Sequence, residues 1–507
     1  MNYILSCALP YANGNLHVGH FFEATAADIK SRYYKHINKP HIFVSGDDCH
    51  GAATTLYCHK NNLDIPTHLE KQYLLHKSSY DALKIGFTNF SKTNTKLHHK
   101  VVNWCIENIL DYGESIFQTK DVLSWFDSSS EQFLPDRYVK GTCPYCGALE
   151  QHPEICEACN KAIVPHELIA PVSVLTQKSV ELKLTKHLTL NTKGFYDEVK
   201  ANASLLHPSI KNKILDASVE PPKYIDISRD SPYYGIDVSA KYFPDIKNQF
   251  FYVWFDAPIG YLTFSFEYWL NGQEASKSHL NEFLKNLELE HFIGKDIAYF
   301  HTFLWFNLLK TSTHGTAQVK KINFHGWLTL NNEKFSKSKG HQFDLSKLSS
   351  AQIDALRFYF FSKHDGSIKD TEFSENEIYE FYNRVVVNGL ANFYARSIKI
   401  LEKNDLTITL KNTQLQGKYT ELLESGNYKK LYELVQYDLS QLNSDFQARI
   451  LWKEIDKEKI KSGTQIFLDT WYEIYHVLAL VCPSLKEVEI KGQFLHLANR
   501  LEKFSLF

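Results

Sequence analysis

Methionine is all but missing from this chain: of 507 residues only Met1 is one, and compositional drift is explanation enough. Net charge is nearly missing as well, at −2 from 56 basic and 58 acidic residues. That excludes a global polycation, although a local basic patch still permits nucleic-acid binding. No apolar run is clean enough for a membrane span. The most apolar stretch, Phe250 to Leu270, holds Asp256, Pro258, Gly260 and Glu267, and reads better as a buried strand, a turn and a helix start. The first residues, Met1-Asn2-Tyr3-Ile4-Leu5-Ser6, lack a basic region, so no signal peptide is expected. Cysteine is too sparse for a disulfide framework. Of nine, Cys7, Cys49, Cys58, Cys105 and Cys482 are scattered and four form two pairs. That pattern suits a reducing compartment with one metal site, and a cytoplasmic location is expected. Repeats and low-complexity tracts are absent too.

What is present is ordinary globular composition, 44% hydrophobic and 22% charged, in a chain longer than one core usually holds. Two to four domains follow. Tyr3 to Ala8 reads as a strand ending in a turn at Pro10 to Gly14, Val18 to His36 as a helix, and His41 to Gly46 as a second strand. Strand, helix, strand is the unit of a doubly wound parallel sheet. The alternation returns with strands at Phe251 to Asp256, Leu289 to Ile293 and Lys321 to His325, and a helix at Phe300 to Thr311. Between the halves, Gly113 to Pro222 has weak alternation and Pro/Gly turns, which fits an insertion splitting the sheet domain. After Gly340 the pattern is helical apart from a loop around Lys403 to Gly417, and Ile378 to Ile398 with Ile466 to Leu480 suggest a helix bundle.

Three motifs carry chemistry. In Leu9-Pro10-Tyr11-Ala12-Asn13-Gly14-Asn15-Leu16-His17-Val18-Gly19-His20, two histidines flank a strand-to-helix turn. A helix N-terminus suits phosphate, and glycine lets a ligand approach the backbone. Taken alone, a metal pair or two capping histidines fit equally well. In Glu333-Lys334-Phe335-Ser336-Lys337-Ser338-Lys339-Gly340, lysines in a small-residue loop suit polyphosphate, with a solvated basic loop as the bland reading. Cys143-Pro144-Tyr145-Cys146 and Cys156-Glu157-Ala158-Cys159 form two C-x-x-C knuckles that fit tetrahedral Zn²⁺. An iron–sulfur cluster or a redox pair is the minor alternative.

The first two motifs, in this order with an insertion between them, resemble the HIGH and KMSKS signatures of the class I aminoacyl-tRNA synthetases. Several strings are similar to those of the methionine-specific members over about residues 3 to 400. They are Cys7 to Gly14, Gly46-Asp47-Asp48-Cys49-His50-Gly51, Asp226-Ile227-Ser228-Arg229-Asp230, Tyr252 to Tyr261, and Phe292-Ile293-Gly294-Lys295-Asp296. Phe335 departs from the usual Met of the lysine loop, and Asn160 stands where Gly is common. The resemblance implies activation of methionine with ATP and transfer to tRNA(Met). A regulatory tRNA- or RNA-binding paralogue without charging activity is one alternative, and an enzyme for Leu, Ile, Val or Cys another.

By the same resemblance, His17, His20, Lys334 and Lys337 are catalytic and bind ATP together with Gly294 and Asp296. Leu9, Tyr11, Trp254, Ala257, Pro258, Tyr261, Ile297 and His301 would line the methionine pocket, where aromatic and aliphatic surface suits a thioether; core packing is the bland reading of Trp254, Tyr261 and Ile297. Asp48 would meet the substrate ammonium and Arg229 its carboxylate. Asn392, Arg396 and Trp452 resemble anticodon readers, although Leu451 replaces a usual proline; a surface ion-pair helix and a core tryptophan are the bland reading. Cys143, Cys146, Cys156 and Cys159 would hold one structural Zn²⁺, and Mg²⁺ would accompany ATP. The expected layout is a split Rossmann-type α/β domain (1–112 and 223–340), a zinc-binding insertion (113–222), a link (341–378) and an all-α domain (379–507). A monomer without membrane attachment is expected.

Overall fold

Tyr3–Cys7 forms the first strand, β1, and every residue in it after Tyr3 is buried. Such a strand needs cover on both faces and a partner for each polar side chain; Ser6 Oγ has one in His291 Nδ1, 2.7 Å away. The structure is a computed structural model, and it describes residues 3–113, 116–156, 158–159, 161–163, 167–216, 222–330, 333–334, 344–410, 415, 417–486 and 501. β1 pairs in parallel with β2 (Ile42–Asp47), which pairs in parallel with β3 (Asn89–Lys92). On its other side β1 pairs in parallel with β4 (Leu287–Gly294), and that with β5 (Ala317–His325). The spatial order is therefore β5-β4-β1-β2-β3. Chain order reverses between β1 and β4, and a doubly wound sheet binds its ligand at that switch, beyond the carboxyl ends of the strands.

Two hydrophobic cores lie on the sheet. One joins it to α3 (Lys96–Tyr112), α4 (Ile259–Leu270) and α5 (Trp305–Ser312). The other runs from α1 (Val18–His36) into the C-terminal helices α6 (Ser350–Lys363), α7 (Asn392–Lys403), α8 (Tyr428–Arg449) and α9 (Lys457–Val481). Helix α2 (Ile65–Ala82), started by an Asp64 side-chain cap, packs near the end of β2. Because α1 is sandwiched, it buries charge. Arg357 Nη2 donates to Asp28 at 2.6 Å, and Lys30 Nζ donates to the carbonyls of Leu423 and Glu424 at 2.8 and 2.7 Å. Burial pulls Lys30 down to about 7. These bonds tie the helix that starts at the histidines to the helical region.

Between the half-sheets, Phe117–Asp127 and Glu181–Asn191 pair antiparallel along their length, flanked by Gln132–Leu134 and Tyr224–Asp226. The last of these strands lies past Pro222. Alternation looked weak here because the exposed positions of the first long strand, Thr119, Asp121 and Leu123, mix polar and apolar residues. Two expectations need correction. Phe251 to Asp256 is not one strand: Gln249–Phe251 is a strand and Val253–Asp256 a helical turn. The turn delivers Asp256 to His50 at 2.7 Å, a tertiary demand that overrides the β-propensity of the apolar run. Nor is the chain after Gly340 wholly helical, since Thr371–Glu372 pairs with Leu328–Leu330. The expected helix across Ile378 to Ile398 is present, with a π-helical middle at Asn383–Ala391. Among the described residues no helix is long and apolar enough to cross a membrane.

Candidate active site

Beyond β1 the chain turns through Pro10 to Gly14 and enters α1 at His17. His17 is the N-cap: its Nδ1 accepts from Gly19 N at 3.1 Å, while His20 Nδ1 accepts from His17 N at 3.0 Å. This reciprocal capping box is built from two histidines whose rings stack at 3.8 Å. The bland capping reading is thus true of their Nδ1 atoms. With Nδ1 accepting, the ring proton belongs on Nε2, which makes each ring a donor as well as a cap. A Cβ at Gly19 would lie 3.0 Å from the His17 ring, so glycine keeps the stack intact.

Both histidines line a cavity of about 850 Å³ at the switch between β1 and β4. The same cavity gathers Leu9, Tyr11, Asp48, Trp254, Ala257, Pro258, Tyr261, Gly294, Asp296, Ile297 and His301. These residues come from both half-sheets. Bulky aromatics form one wall: Trp254 stacks on Phe300 at 4.0 Å, and Tyr261 OH donates to His301 Nε2 at 2.9 Å. His301 Nδ1 lies 3.1 Å from the Ile297 carbonyl, which fixes the tautomer, and burial drops the ring to about 4. A neutral Tyr–His pair within apolar surface offers polarity without charge. His301 sits in a π-helical stretch, Phe300–Leu304, that leads into α5.

Asp48 follows the last residue of β2. Backbone bonds from Ala12 N to Asp48 O and from Asp48 N to Pro10 O, each 2.9 Å, hold it beside the turn. Its carboxylate is buried and takes one long contact, 3.4 Å, from His50 N. Burial first, then the Asp256 carboxylate, pushes Asp48 well above the usual carboxylate range. Such a group is stabilised as an anion by a cation brought to it. Across the cavity, a Cβ on Gly294 would come 2.7 Å from Asp296 Oδ1, so the close approach of that carboxylate to the backbone requires glycine.

Some residues stand elsewhere. Arg229 is not among those lining the cavity; its guanidinium lies over the Tyr252 ring at 4.0 Å and near Asp226 at 3.5 Å. Lys334 pairs with Thr329 through its backbone, and Lys337 lies outside the described residues. Glu23, Arg137 and His325 line the cavity without having been singled out. Glu23 is one helical turn after His20 and accepts from Ala8 N at 2.7 Å and faces His325 Nε2 at 2.8 Å. Burial alone would lower His325, but Glu23 holds it above its ordinary value. The i+3 spacing from His20 was the available signal for Glu23, and the carboxyl end of β5 was the signal for His325. Arg137 reaches in from the insertion, which no spacing foretells.

In the insertion the four sulfurs of Cys143, Cys146, Cys156 and Cys159 lie within 4.8 Å of one another. The Cys143–Cys159 and Cys146–Cys156 separations are 3.9 and 3.7 Å, close to the roughly 3.8 Å edge of a Zn–S tetrahedron. In the helical region, Arg396 donates to Asn443 and lies 5.8 Å from the Phe446 ring. Trp452 lies 6.3 Å from the same ring and is 44% exposed, and Asn392 is exposed one turn before Arg396. Arg396 and Trp452 therefore meet at Phe446, with Asn392 one helical turn before Arg396.

A split parallel sheet with capping histidines and a buried carboxylate at its switch point defines the class I tRNA synthetase type. The family model for tRNA synthetases class I (M) matches residues 3–398. The methionine–tRNA ligase of Buchnera aphidicola subsp. Schizaphis graminum is 34% identical over 414 residues, covering 79% of this chain and 72% of that protein. That of Wigglesworthia glossinidia brevipalpis is 30% identical over 509 residues, covering 96% and 90%. The chain belongs to this family, the methionine–tRNA ligases of class I. Its fold is similar to that of Mycobacterium tuberculosis methionyl-tRNA synthetase bound by methionyl-adenylate, with TM-score 0.72, 17% identity, and coverage of 99% and 97%.

Proposed function

We propose that the switch-point cavity activates methionine with ATP and that the acyl group then passes to tRNA(Met). The observation that carries this reading is convergence. One cavity holds the capped His17 and His20, the buried Asp48, and the Tyr261–His301 pair. Asp48 takes the substrate ammonium, and aromatic surface takes the thioether beside the Tyr261 hydroxyl. The methionine carboxylate attacks the α-phosphate in line and pyrophosphate leaves. His17 and His20 donate Nε2 protons to phosphate oxygens at the positive end of α1, and Lys334 and Lys337 add mobile charge. Gly294 and Asp296 receive the ribose, and Arg229 faces the substrate carboxylate. Mg²⁺, when bound with ATP, neutralises phosphate charge. The chain supplies no nucleophile, so catalysis is positioning and charge stabilisation. The tRNA 3′-terminal hydroxyl then attacks the acyl carbonyl carbon of the adenylate, the acyl–phosphate bond breaks and AMP leaves, while Asn392, Arg396 and Trp452 read the anticodon.

Cys143, Cys146, Cys156 and Cys159 would hold Zn²⁺. Four thiolates leave no open position, so the metal's role is structural. The purified protein should contain about one zinc per chain, released only on denaturation or strong chelation; a folded, active preparation without zinc ends that assignment. A monomer acting in the cytoplasm completes the reading. ATP–pyrophosphate exchange tested with all twenty amino acids should respond to methionine above any other, and equal response to another amino acid overturns the assignment.

A further inference from the structure

Arg137 lines the switch-point cavity, yet it belongs to neither half-sheet. It sits in a short helical turn, Asp136–Tyr138, at the start of the strand Val139–Thr142 that leads to Cys143. Tyr138 fixes that turn. Its ring is fully buried in a cluster with Trp125, Leu134 and Val139, and Ala52 and Leu56 pack against the same cluster. Tyr138 N donates to the Pro135 carbonyl at 2.8 Å, and Val174 N donates to the Tyr138 carbonyl at 2.7 Å. Ala52 opens the helix Ala52–Lys60, four residues after Asp48. The turn is thereby held against the segment that carries Asp48, and Arg137, next to the anchor, is left exposed on the cavity wall.

An exposed arginine is usually a solvated surface charge. Two observations set this one apart. Among the described residues no carboxylate pairs with it, so its charge is open to a ligand. Of the described residues that line the cavity, it alone carries a guanidinium or ammonium group. Its charge reaches the Tyr11 hydroxyl, as does the opposite charge of Asp48, and Tyr11 is bridged to Asp48 through the backbone. A cation from the insertion and an anion from the sheet therefore act on one side chain of the cavity.

We propose that Arg137 is a further substrate-binding residue, whose guanidinium takes the methionine carboxylate while Asp48 takes the ammonium. The inference rests on the reading of Asp48 given above. The two charges of an amino acid are joined through one carbon, so an ammonium seated at Asp48 leaves its carboxylate close by in the same cavity. A guanidinium offers N–H donors in a planar fork that matches carboxylate oxygens. Arg229, given the same carboxylate above, stands outside the lining, over the Tyr252 ring at 4.0 Å. Arg137 is thus the guanidinium that the cavity already presents. The zwitterion is held between two parts of the chain, its ammonium by a half-sheet and its carboxylate by the insertion. Holding the carboxylate there orients it for its attack on the α-phosphate.

The test is calorimetric binding of two ligands to the full chain, methionine and methioninol, the amino alcohol that keeps the ammonium and thioether but lacks the carboxylate. Wild type, Arg137→Ala, Arg137→Lys and Asp48→Asn are compared, with thermal unfolding as a check on folding. Arg137→Ala should weaken methionine by about tenfold or more, the scale of one charge-assisted hydrogen bond, and leave methioninol unchanged. Arg137→Lys keeps the charge without the fork and should recover part of the loss. The split between the ligands is the signature, because a merely structural role weakens both alike. Equal loss of both ligands, or loss of neither, overturns the role of Arg137. So does a rise in KM for ATP in pyrophosphate exchange with methionine binding intact, which would give the guanidinium to phosphate. Should Arg137→Ala not fold, Arg137→Lys decides by the same comparison. Asp48→Asn separates the two readings. It should weaken both ligands, and unchanged binding of both there means that the ammonium assignment has failed, whatever Arg137 does.

Discussion

The cavity at the sheet edge and the patch around Phe446 offer a ligand opposite surroundings. In the cavity, Asp48, Tyr261 and His301 are stripped of water and held by short hydrogen bonds or backbone anchors. Around Phe446, Trp452 and Asn392 lie open to solvent and Arg396 is only half-buried. A small, mostly apolar ligand is selected by desolvation, because each buried polar group then discriminates strongly. A large polyanion is met by a surface, because stacking and base-edge contacts need open rings and guanidinium planes. The bonds from α1 to Leu423, Glu424 and Arg357 tie the helix that starts at the cavity to the helical region that carries the patch.

The contrast breaks most visibly on the lysine loop. Lys337→Ala should lower adenylate formation by about 10²-fold or more, the scale of one transition-state donor, with little change in methionine affinity. Near-normal single-turnover rates would remove that lysine from the cavity's chemistry. Next in size, Ala at Asn392, Arg396 or Trp452 should cost tRNA charging on the order of 1–3 kcal/mol each. Methionine-dependent exchange should hold. Loss of Arg396 should also flatten the salt dependence of tRNA binding. A parallel fall in both reactions would mean that the patch is holding the fold rather than reading bases.

The smallest effect sharpens the boundary between the cavity and its insertion. His187, on a strand of the insertion, lies 2.6 Å from Asp226 and 2.8 Å from Asp230. Burial would lower it, but the two carboxylates raise it to about 9. A histidine raised on folding contributes stability that is complete below its free value of 6.5 and lost as pH climbs through about 9. Denaturant unfolding at pH 6 and pH 10 should differ by on the order of 1–2 kcal/mol more in wild type than in His187→Asn. An equal difference in both proteins would show that the pairing is not what stabilises this joint.

The strand–helix–strand start, the split sheet and the thiolate cluster were legible because each is a local pattern with a fixed period or spacing. Thirteen residues named from the sequence line the cavity, carried to a common edge by the two half-sheets. What stayed illegible depends on distance in the chain. The turn at Val253–Asp256 hides in a β-like run because its cause, His50, lies on another element. Arg137 enters from the insertion, and His76 sits on a helix with no motif, its Nδ1 2.7 Å from Asp47 Oδ1. Arg229 matches a string yet stands outside the cavity lining, held over Tyr252. A motif names the residue type at a position, and packing decides what that residue faces.

The central pairing of the sheet also carries a cost in time. β1 is made well before its partner β4: Ser6 meets His291 across 285 residues. At roughly 5–20 residues per second on a ribosome, that interval is on the order of tens of seconds. Until then one edge of β1 offers unpaired, apolar backbone, the kind of edge that invites pairing with other chains. The insertion emerges during the wait, so the nascent chain carries a half-built site until β4 arrives. The architecture is thus most open to wrong pairing while it is being made, before its central strands meet.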